Sequence, residues 1–402
     1  MRAIVLLFAV FVAVAVGCSS ARVSPRGKPV PPPAKAEATA PVDLLGLPPL
    51  GVRSKANWEA TRRDEIRGLF EHHVYGRVPP GLGEPAFEVL HTEPKALDGV
   101  ATRVRVRVTL PAVPKWDGFE LMVHVPNGAD WPVPCVVGLN FRGNHTLVDD
   151  PAVPIPDGNE HARGHRVARW PLALAMQRGI AVATAWYEDI EPDRPDGFRV
   201  GLRGAASPRG AATEWRPGQW GAIAAWAQGL RLIADYLERE VTVDAKRLAV
   251  LGHSRLGKTA LWAGALDPRF DVVVSNNSGE GGAALMRRPV GETTAAITSR
   301  FPHWFTPTYR RYANDPTTCP VDQHMLIALS APRAVYVGSA SRDTWADPEG
   351  EFLACVHAAP AWEAYGLEAL GVQAWPAANT PVGDHVGYHV RVGSHNITAC
   401  TR

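Results

Sequence analysis

Residues 247–267 read RLAVLGHSRLGKTALWAGALD. The first part is a short apolar run, which predicts a buried β-strand, and the second part predicts a helix. Ser254 stands between them, with Gly252 two residues before it. This is the context of a nucleophile elbow, a sharp strand-to-helix turn that exposes a serine hydroxyl. The general motif G-x-S-x-G requires glycine at position 256, where this chain has Leu256 and places its glycine one residue later. The stretch by itself leaves open whether Ser254 is a nucleophile or an ordinary turn residue.

Apolar and amphipathic runs alternate on both sides of this turn. Buried parallel strands are predicted for PCVVGLNF from Pro134, IAVATAWY from Ile180, FDVVVSNN from Phe270 and RAVYVGSA from Arg333. An amphipathic helix begins near Trp220, and two alternating strands begin at Ala101 and Phe119. The pattern predicts an α/β fold with a mostly parallel central sheet flanked by helices, a three-layer sandwich. Sheets of this kind carry their chemistry at the carboxyl ends of the strands.

The composition is that of a folded protein. The 402 residues are 46% hydrophobic and 20% charged, and the formal net charge is +2. A net charge this close to zero indicates neither binding to nucleic acid nor binding to an anionic membrane surface.

The first 41 residues are predicted to precede the folded domain. Residues 1–18 carry a positive charge, an apolar run and then small residues, which indicates a secretory signal peptide. AVGC, ending at Cys18, resembles a bacterial lipoprotein signal with a lipidated cysteine; the alternative is a plain signal peptide cut nearby. Residues 19–41 predict a disordered Pro/Ala-rich tether, and residues 42–402 the folded domain. We therefore expect an exported protein, either an outer-membrane or periplasmic lipoprotein or a secreted form.

Four further cysteines give no indication of a zinc site, because they are far apart and form no CxxC pair. They are Cys135, Cys319, Cys355 and Cys400. An oxidising compartment would allow one disulfide among them, and the spacing leaves its partners open.

A nucleophilic serine needs a base, and the base needs an orienting acid. In folds that carry a nucleophile elbow, the three catalytic residues follow along the chain in the order serine, acid, histidine. Asp343 directly follows the predicted strand RAVYVGSA and is the candidate acid, with a solvated loop carboxylate as the alternative. His395 and His385 are candidate bases, and the spacing favours His395 only slightly.

The elbow also resembles a known family. GHSRLGK, residues 252–258, is similar to the G-C-S-R-x-G-K signature of the bacterial glucuronoyl esterases, carbohydrate esterase family 15, in which the second glycine belongs one residue late. Other similar segments follow in order: LFEHHVYGRVP, GLNFRGNHT, SNNSGEGGAALMRRPVGE, DQHMLIALSAPRAVYVGSASRDTWADPEGEF and GYHVRVGSHNIT. The resemblance implies an α/β-hydrolase fold. It also implies a serine esterase that cleaves the ester between (4-O-methyl-)glucuronic acid of glucuronoxylan and lignin alcohols.

The resemblance assigns roles to single residues. It implies that Ser254 is the nucleophile, that His395 is the general base and that Arg255 donates to the oxyanion. The residues similar to the family's sugar-binding side chains are Lys258, Glu292 and Trp345. Without the resemblance these three would be interpreted as a solvated lysine, a charge at a helix start and a core tryptophan. We expect no metal and no organic cofactor.

The triad acid has two candidates under this resemblance. Some members carry a glutamate after the strand DVVVSN, where this chain has Asn277, and Glu280 lies three residues further on. Other bacterial members place an acid after the following strand, which matches Asp343. We take Asp343 as the acid and Glu280 as the alternative.

The chain departs from the family pattern in two places. His253 replaces the signature cysteine, so the disulfide that some members form with the residue after the base, here Asn396, is not expected. The chain also ends at Arg402, where the resemblance leads us to expect a further helix.

Two other functions remain open on sequence grounds. One is an acetyl xylan esterase or another carbohydrate esterase on the same fold. The other is a non-catalytic, carbohydrate-binding surface lipoprotein, against which the intact set of Ser254, Asp343 and His395 argues. The expected partner is a glucuronoxylan–lignin ester, without nucleic acid, and with membrane contact only through an N-terminal lipid. The oligomeric state stays open.

Overall fold

The computed structural model describes residues 46–207 and 219–397, and one ten-stranded sheet runs through them. The strands are β1 Ala86–Ala96, β2 Ala101–Thr109, β3 Phe119–Pro126, β4 Val133–Asn140, β5 Ala181–Trp186, β6 Val243–His253, β7 Phe270–Asn276, β8 Ala334–Ala340, β9 Val382–Gly383 and β10 Val386–Arg391. The α-helices are α1 Lys55–Asn57, α2 Arg63–Phe70, α3 Leu172–Gln177, α4 Tyr187–Ile190, α5 Leu202–Ala205, α6 Ala222–Leu237, α7 Arg255–Leu266, α8 Thr294–Arg300, α9 Gln323–Ala328, α10 Pro348–Ala358 and α11 Pro360–Glu363. Short π-helical turns cover Trp58–Arg62 and Glu71–Tyr75, and short 3-10 turns cover Asn144–Thr146, Val167–Arg169, Gly197–Arg199, Tyr309–Tyr312, Pro316–Thr318 and Thr344–Ala346.

The strand order across the sheet is β1-β2-β3-β5-β4-β6-β7-β8-β10-β9. The first three strands pair antiparallel, and β3 also pairs antiparallel with β5. From β5 to β10 every neighbouring pair is parallel, and β9 closes the far edge antiparallel to β10. The parallel strands therefore end at one common edge of the sheet, where their following loops meet.

The two faces of the sheet bury two separate cores. On β5, Ala181, Ala183 and Ala185 belong to the larger core, while Val182 belongs to the smaller one, as the two-residue period of a strand requires. Helices α6, α7, α9 and α10 cover the larger core, and α3 together with the 147–153 segment covers the smaller one. The predicted α/β fold with helices on both faces is thereby confirmed.

Several predicted features lie outside the described residues, namely the signal peptide with Cys18, the tether and Cys400. The described cysteines Cys135, Cys319 and Cys355 are buried and form no disulfide. Among the helices that the structure describes, none combines the length and apolar character needed to cross a membrane.

Candidate active site

Ser254 sits in a sharp turn between β6 and α7. Its backbone has φ +58° and ψ −129°, a region that residues other than glycine rarely adopt and that is often held at functional sites. A Cβ at position 252 would lie 1.8 Å from the carbonyl oxygen of Leu256, so the turn requires Gly252. A Cβ at position 257 would lie 3.0 Å from the Cβ of Ser278, so Gly257 lets α7 approach the loop after β7. Gly257, the glycine that follows one residue late, therefore allows close packing between α7 and the loop after β7.

His395 and Asp343 meet at the carboxyl edge of the sheet. The Nδ1 atom of His395 lies 2.6 Å from Oδ2 of Asp343, although 52 residues separate them in the chain. The side chain of Asp343 is buried, whereas that of His395 is 44% exposed. The amide of Asn277 donates to the same Oδ2 atom at 2.8 Å. One fixed carboxylate thus holds one ring nitrogen of an accessible histidine.

The alternative base and acid lie elsewhere. The Nδ1 atom of His385 lies 3.1 Å from the carbonyl oxygen of Glu368. Glu280 is buried and accepts hydrogen bonds from Thr294 at 2.6 Å and Tyr309 at 2.7 Å, and burial raises its pKa to about 7. The contact to His395 is made by Asp343 and not by Glu280.

Arg255, the first residue of α7, is ion-paired with the buried Asp193. The same carboxylate accepts hydrogen bonds from Tyr187 at 2.9 Å and Trp304 at 2.6 Å, and His303 lies 2.8 Å from it. The guanidinium of Arg255 lies 4.7 Å from the ring centre of Trp304. Because the first N–H groups of a helix lack partners within the helix, the backbone of Arg255 also presents a donor at the elbow. The guanidinium is held in one place before any substrate binds.

The residues predicted to bind the sugar follow Arg255 in the chain and are Lys258, Glu292 and Trp345. Lys258 is buried, and its ammonium donates to the carbonyl of Ser278. Burial lowers the pKa of Lys258, and Glu292 acts in the opposite direction. The backbone N–H of Glu292 donates to the carbonyl of Trp345 at 2.8 Å, and Trp345 is 50% exposed. The structure thus brings Glu292 and Trp345 together.

A cavity of about 290 Å³ opens beside Ser254, and its wall does not include the predicted sugar-binding residues. Both Ser254 and His395 line it, as do the end of β4 and the loop after it. The rest of the wall comes from residues 146–147, 166, 169–170, 251–253 and 397. Arg255 reaches this wall, whereas Lys258, Glu292 and Trp345 are not part of it. The cavity is therefore accessible to a reactant that touches both the serine and the histidine.

His253, the residue before the serine, packs against the candidate base. The ring centres of His253 and His395 are 4.6 Å apart. The amide of Asn276 lies 2.8 Å from Nδ1 of His253, and burial lowers the pKa of His253 to about 3. A neutral ring therefore occupies the position of the signature cysteine.

Sequence reasoning missed the contributions of Asp193, Asn277 and Asn276. Asp193 lies just after α4, in an acidic stretch of sequence, but its partner Arg255 is 62 residues away. The sequence marks Asn277 only as an amide at the position where some family members carry a glutamate. Its left-handed backbone, with φ +49°, aims a donor at Asp343.

In residues 46–207 and 219–397, no group of three or more His, Cys, Asp or Glu side chains is arranged to hold a metal ion. The described site offers a serine in an elbow turn and a positioned imidazole on the wall of one cavity, which are the groups that nucleophilic catalysis uses.

The chain is similar to glucuronoyl esterases in both sequence and structure. A family model described as glucuronyl esterase, fungi, matches residues 216–366. A carbohydrate esterase of an unknown prokaryotic organism is 41% identical over 90% of this chain and 86% of its own length. A 4-O-methyl-glucuronoyl methylesterase of Phanerochaete chrysosporium is 32% identical over 61% of this chain and half of its own length. The solved glucuronoyl esterase from Solibacter usitatus is 42% identical, with a TM-score of 0.83 over 88% of this chain and 94% of that one.

Proposed function

Because this chain belongs to the bacterial glucuronoyl esterases of carbohydrate esterase family 15, we propose that it hydrolyses the ester between a glucuronic acid side group of glucuronoxylan and a lignin alcohol. Several of its relatives are named 4-O-methyl-glucuronoyl methylesterases. These comparisons favour a glucuronoyl esterase over an acetyl xylan esterase or a non-catalytic binder. Export through the N-terminal signal, with Cys18 as a lipid attachment site, would bring the enzyme to this polymeric substrate.

The observation that carries the mechanism is the 2.6 Å contact between the buried Asp343 and His395, which lines the same cavity as Ser254. Asp343 fixes the tautomer of His395 with the proton on Nδ1, so that Nε2 can accept the serine proton. The same carboxylate stabilises the imidazolium that forms. The elbow turn keeps the hydroxyl exposed at the sheet edge.

In the proposed reaction, the Ser254 oxygen attacks the ester carbonyl as His395 takes its proton. The resulting oxyanion receives hydrogen bonds from the backbone N–H of Arg255 and from its guanidinium, which Asp193 holds in position. His395 then protonates the leaving alcohol. Water, deprotonated by His395, attacks the acyl-serine and releases the free uronic acid. Lys258, Glu292 and Trp345 would bind the uronoyl half.

The test compares hydrolysis of benzyl glucuronate with acetate release from acetylated xylan. We expect turnover of the glucuronate ester, and we expect Ser254→Ala to lower its kcat by about 10⁴-fold or more, because no nucleophile remains. The exposed Lys246→Gln, at the amino end of β6, serves as a variant made in the same strand. Hydrolysis that survives Ser254→Ala would overturn the mechanism, and faster acetate release would overturn the substrate class.

A further inference from the structure

Several arginine side chains form part of the wall of the cavity beside Ser254. Arg142, Arg166 and Arg169 all line it. Arg142 contacts the ring of His161, with 3.0 Å between Nη1 and Nε2. Burial and the charges of Arg166 and Arg142 lower the pKa of Arg169. The three guanidinium groups are therefore close enough to repel one another.

None of these three arginines has a carboxylate within 4.0 Å in the described ranges 46–207 and 219–397. Two buried arginines are, by contrast, paired with carboxylates. Arg103 reaches Asp150 at 2.8 Å, and Arg203 reaches Glu191 at 2.8 Å. Gathering cations without a counter-charge costs folding free energy, and an anionic ligand would offset that cost. The cluster therefore indicates a site for an anion.

Part of the remaining wall of the cavity is apolar. Leu147, Leu251 and Ile397 contribute aliphatic surface, and Phe141 and Trp170 contribute aromatic surface. A dry cavity of about 150 Å³ holds a benzene ring in a protein interior. The volume of about 290 Å³ therefore has room for a substituted aromatic ring beside the arginines.

The position of the cavity decides which half of the ester it receives. The residues that would bind the uronoyl half, Lys258, Glu292 and Trp345, lie outside its wall, while Ser254 and His395 are part of it. An ester placed across Ser254 with its sugar toward Lys258 therefore directs its alcohol into the cavity.

We propose that this cavity binds the alcohol half of the ester and selects aromatic alcohols that carry a carboxylate, which the guanidinium groups of Arg142, Arg166 and Arg169 bind. This inference rests on the proposed function, since it needs the uronoyl half on the Lys258 side.

Three glucuronate esters test it: those of benzyl alcohol, of 4-carboxybenzyl alcohol and of its neutral 4-carboxamide analogue. The carboxamide matches the carboxylate in size but lacks its charge, and it carries an NH₂ donor where the carboxylate has its second acceptor oxygen. We expect kcat/KM for the carboxylate ester to exceed that for the carboxamide ester by about tenfold at low ionic strength, because charge-assisted hydrogen bonds are about twice as strong as neutral ones. High salt should reduce the ratio.

The double variant Arg166→Gln/Arg169→Gln should bring the ratio to about one. Lys246→Gln changes the net charge in the same direction at an exposed site at the opposite end of β6, and it should keep the wild-type ratio. If the double variant melts at a lower temperature, Arg142→Gln, which alters an exposed side chain, should still lower the ratio.

The outcomes separate the two proposals. If benzyl glucuronate is not hydrolysed, the proposed function fails and this inference fails with it. If it is hydrolysed and the carboxylate and carboxamide esters react equally fast, the esterase function stands and the inference is overturned. A preference that persists in both the double variant and Arg142→Gln overturns it as well.

Discussion

The positively charged side chains on the two sides of Ser254 differ in whether a carboxylate lies near them. On the α7 side, Arg255 is paired with Asp193, and Lys258 lies in the field of Glu292 and Glu280. On the cavity side, Arg142, Arg166 and Arg169 have no carboxylate partner in the described part of the chain. We call these the paired side and the unpaired side.

The difference separates two tasks. A charge that is already fixed by the protein can stabilise a transition state without reorganising, which suits an oxyanion donor. A charged side chain without a protein partner gains the most interaction free energy when a ligand brings an opposite charge. The paired side is therefore suited to the chemistry, and the unpaired side to recognition.

The largest expected effect comes from the acid behind His395. Asp343→Asn should lower kcat by about 10³–10⁴-fold, because an amide no longer fixes the productive tautomer or stabilises the imidazolium. KM for benzyl glucuronate should change little, since Asp343 is buried behind the histidine. Steady-state kinetics measure both values.

Asn277→Gly is the matched variant for that change. It removes the donor to Oδ2 of Asp343 and tolerates the left-handed backbone, so we expect a loss of about tenfold in kcat. Equal losses in Asp343→Asn and Asn277→Gly would show that the carboxylate has no special role.

A smaller effect is expected on the paired side. Asp193→Asn should lower kcat by about 10²-fold, because the guanidinium of Arg255 loses the charge that positions it for the oxyanion. Asp244→Asn breaks the Arg247 ion pair near the start of β6, away from the site, and serves as the control. The readout is kcat against KM, together with the melting temperature.

A structural role for Asp193 alone would give a different result. Asp193→Asn would then lower the melting temperature and leave the kcat of the folded enzyme unchanged. That outcome would remove the guanidinium of Arg255 from the proposed oxyanion site and leave only its backbone donor.

The sequence predicted the features whose signals are local. The strand, turn and helix around Ser254 follow from hydrophobic periodicity and two glycines, and the central parallel strands appear as apolar runs. Strand β1 was missed because most of its residues are exposed and it contains a proline, so its pattern is not that of a buried strand. The family resemblance selected Asp343 and His395, and the structure places them in contact.

The remaining parts of the site depend on contacts between distant segments. Arg142 directly follows β4, in a loop that the sequence places at the carboxyl edge of the sheet, whereas nothing local indicates that Arg166 shares a wall with Ser254. The same holds for Asp193, whose importance lies in a partner on another element. Whether an arginine is paired or unpaired is a property of the tertiary structure.

The last effect concerns folding stability and not kcat, and it arises from His253, which lines the cavity and packs on His395. Burial lowers its folded-state pKa to about 3, below the value of about 6.5 expected in the unfolded chain. Between these values the unfolded chain binds a proton that the folded chain does not, so stability is lost as the pH falls below about 6.5. This single group should reduce the free energy of unfolding by about 1.4 kcal/mol per pH unit.

Other buried groups titrate in the same range, including Glu280, whose raised pKa acts in the opposite direction. We therefore compare the wild type with His253→Gln, which does not titrate, by denaturant unfolding at about pH 6.5 and about pH 4.5. The difference between the two proteins cancels the groups that they share. It should shift by about 2 kcal/mol in favour of the variant at the lower pH. A difference that stays constant between the two pH values would mean that His253 is protonated as easily in the folded protein as in the unfolded chain, and that its ring does not stay neutral against His395.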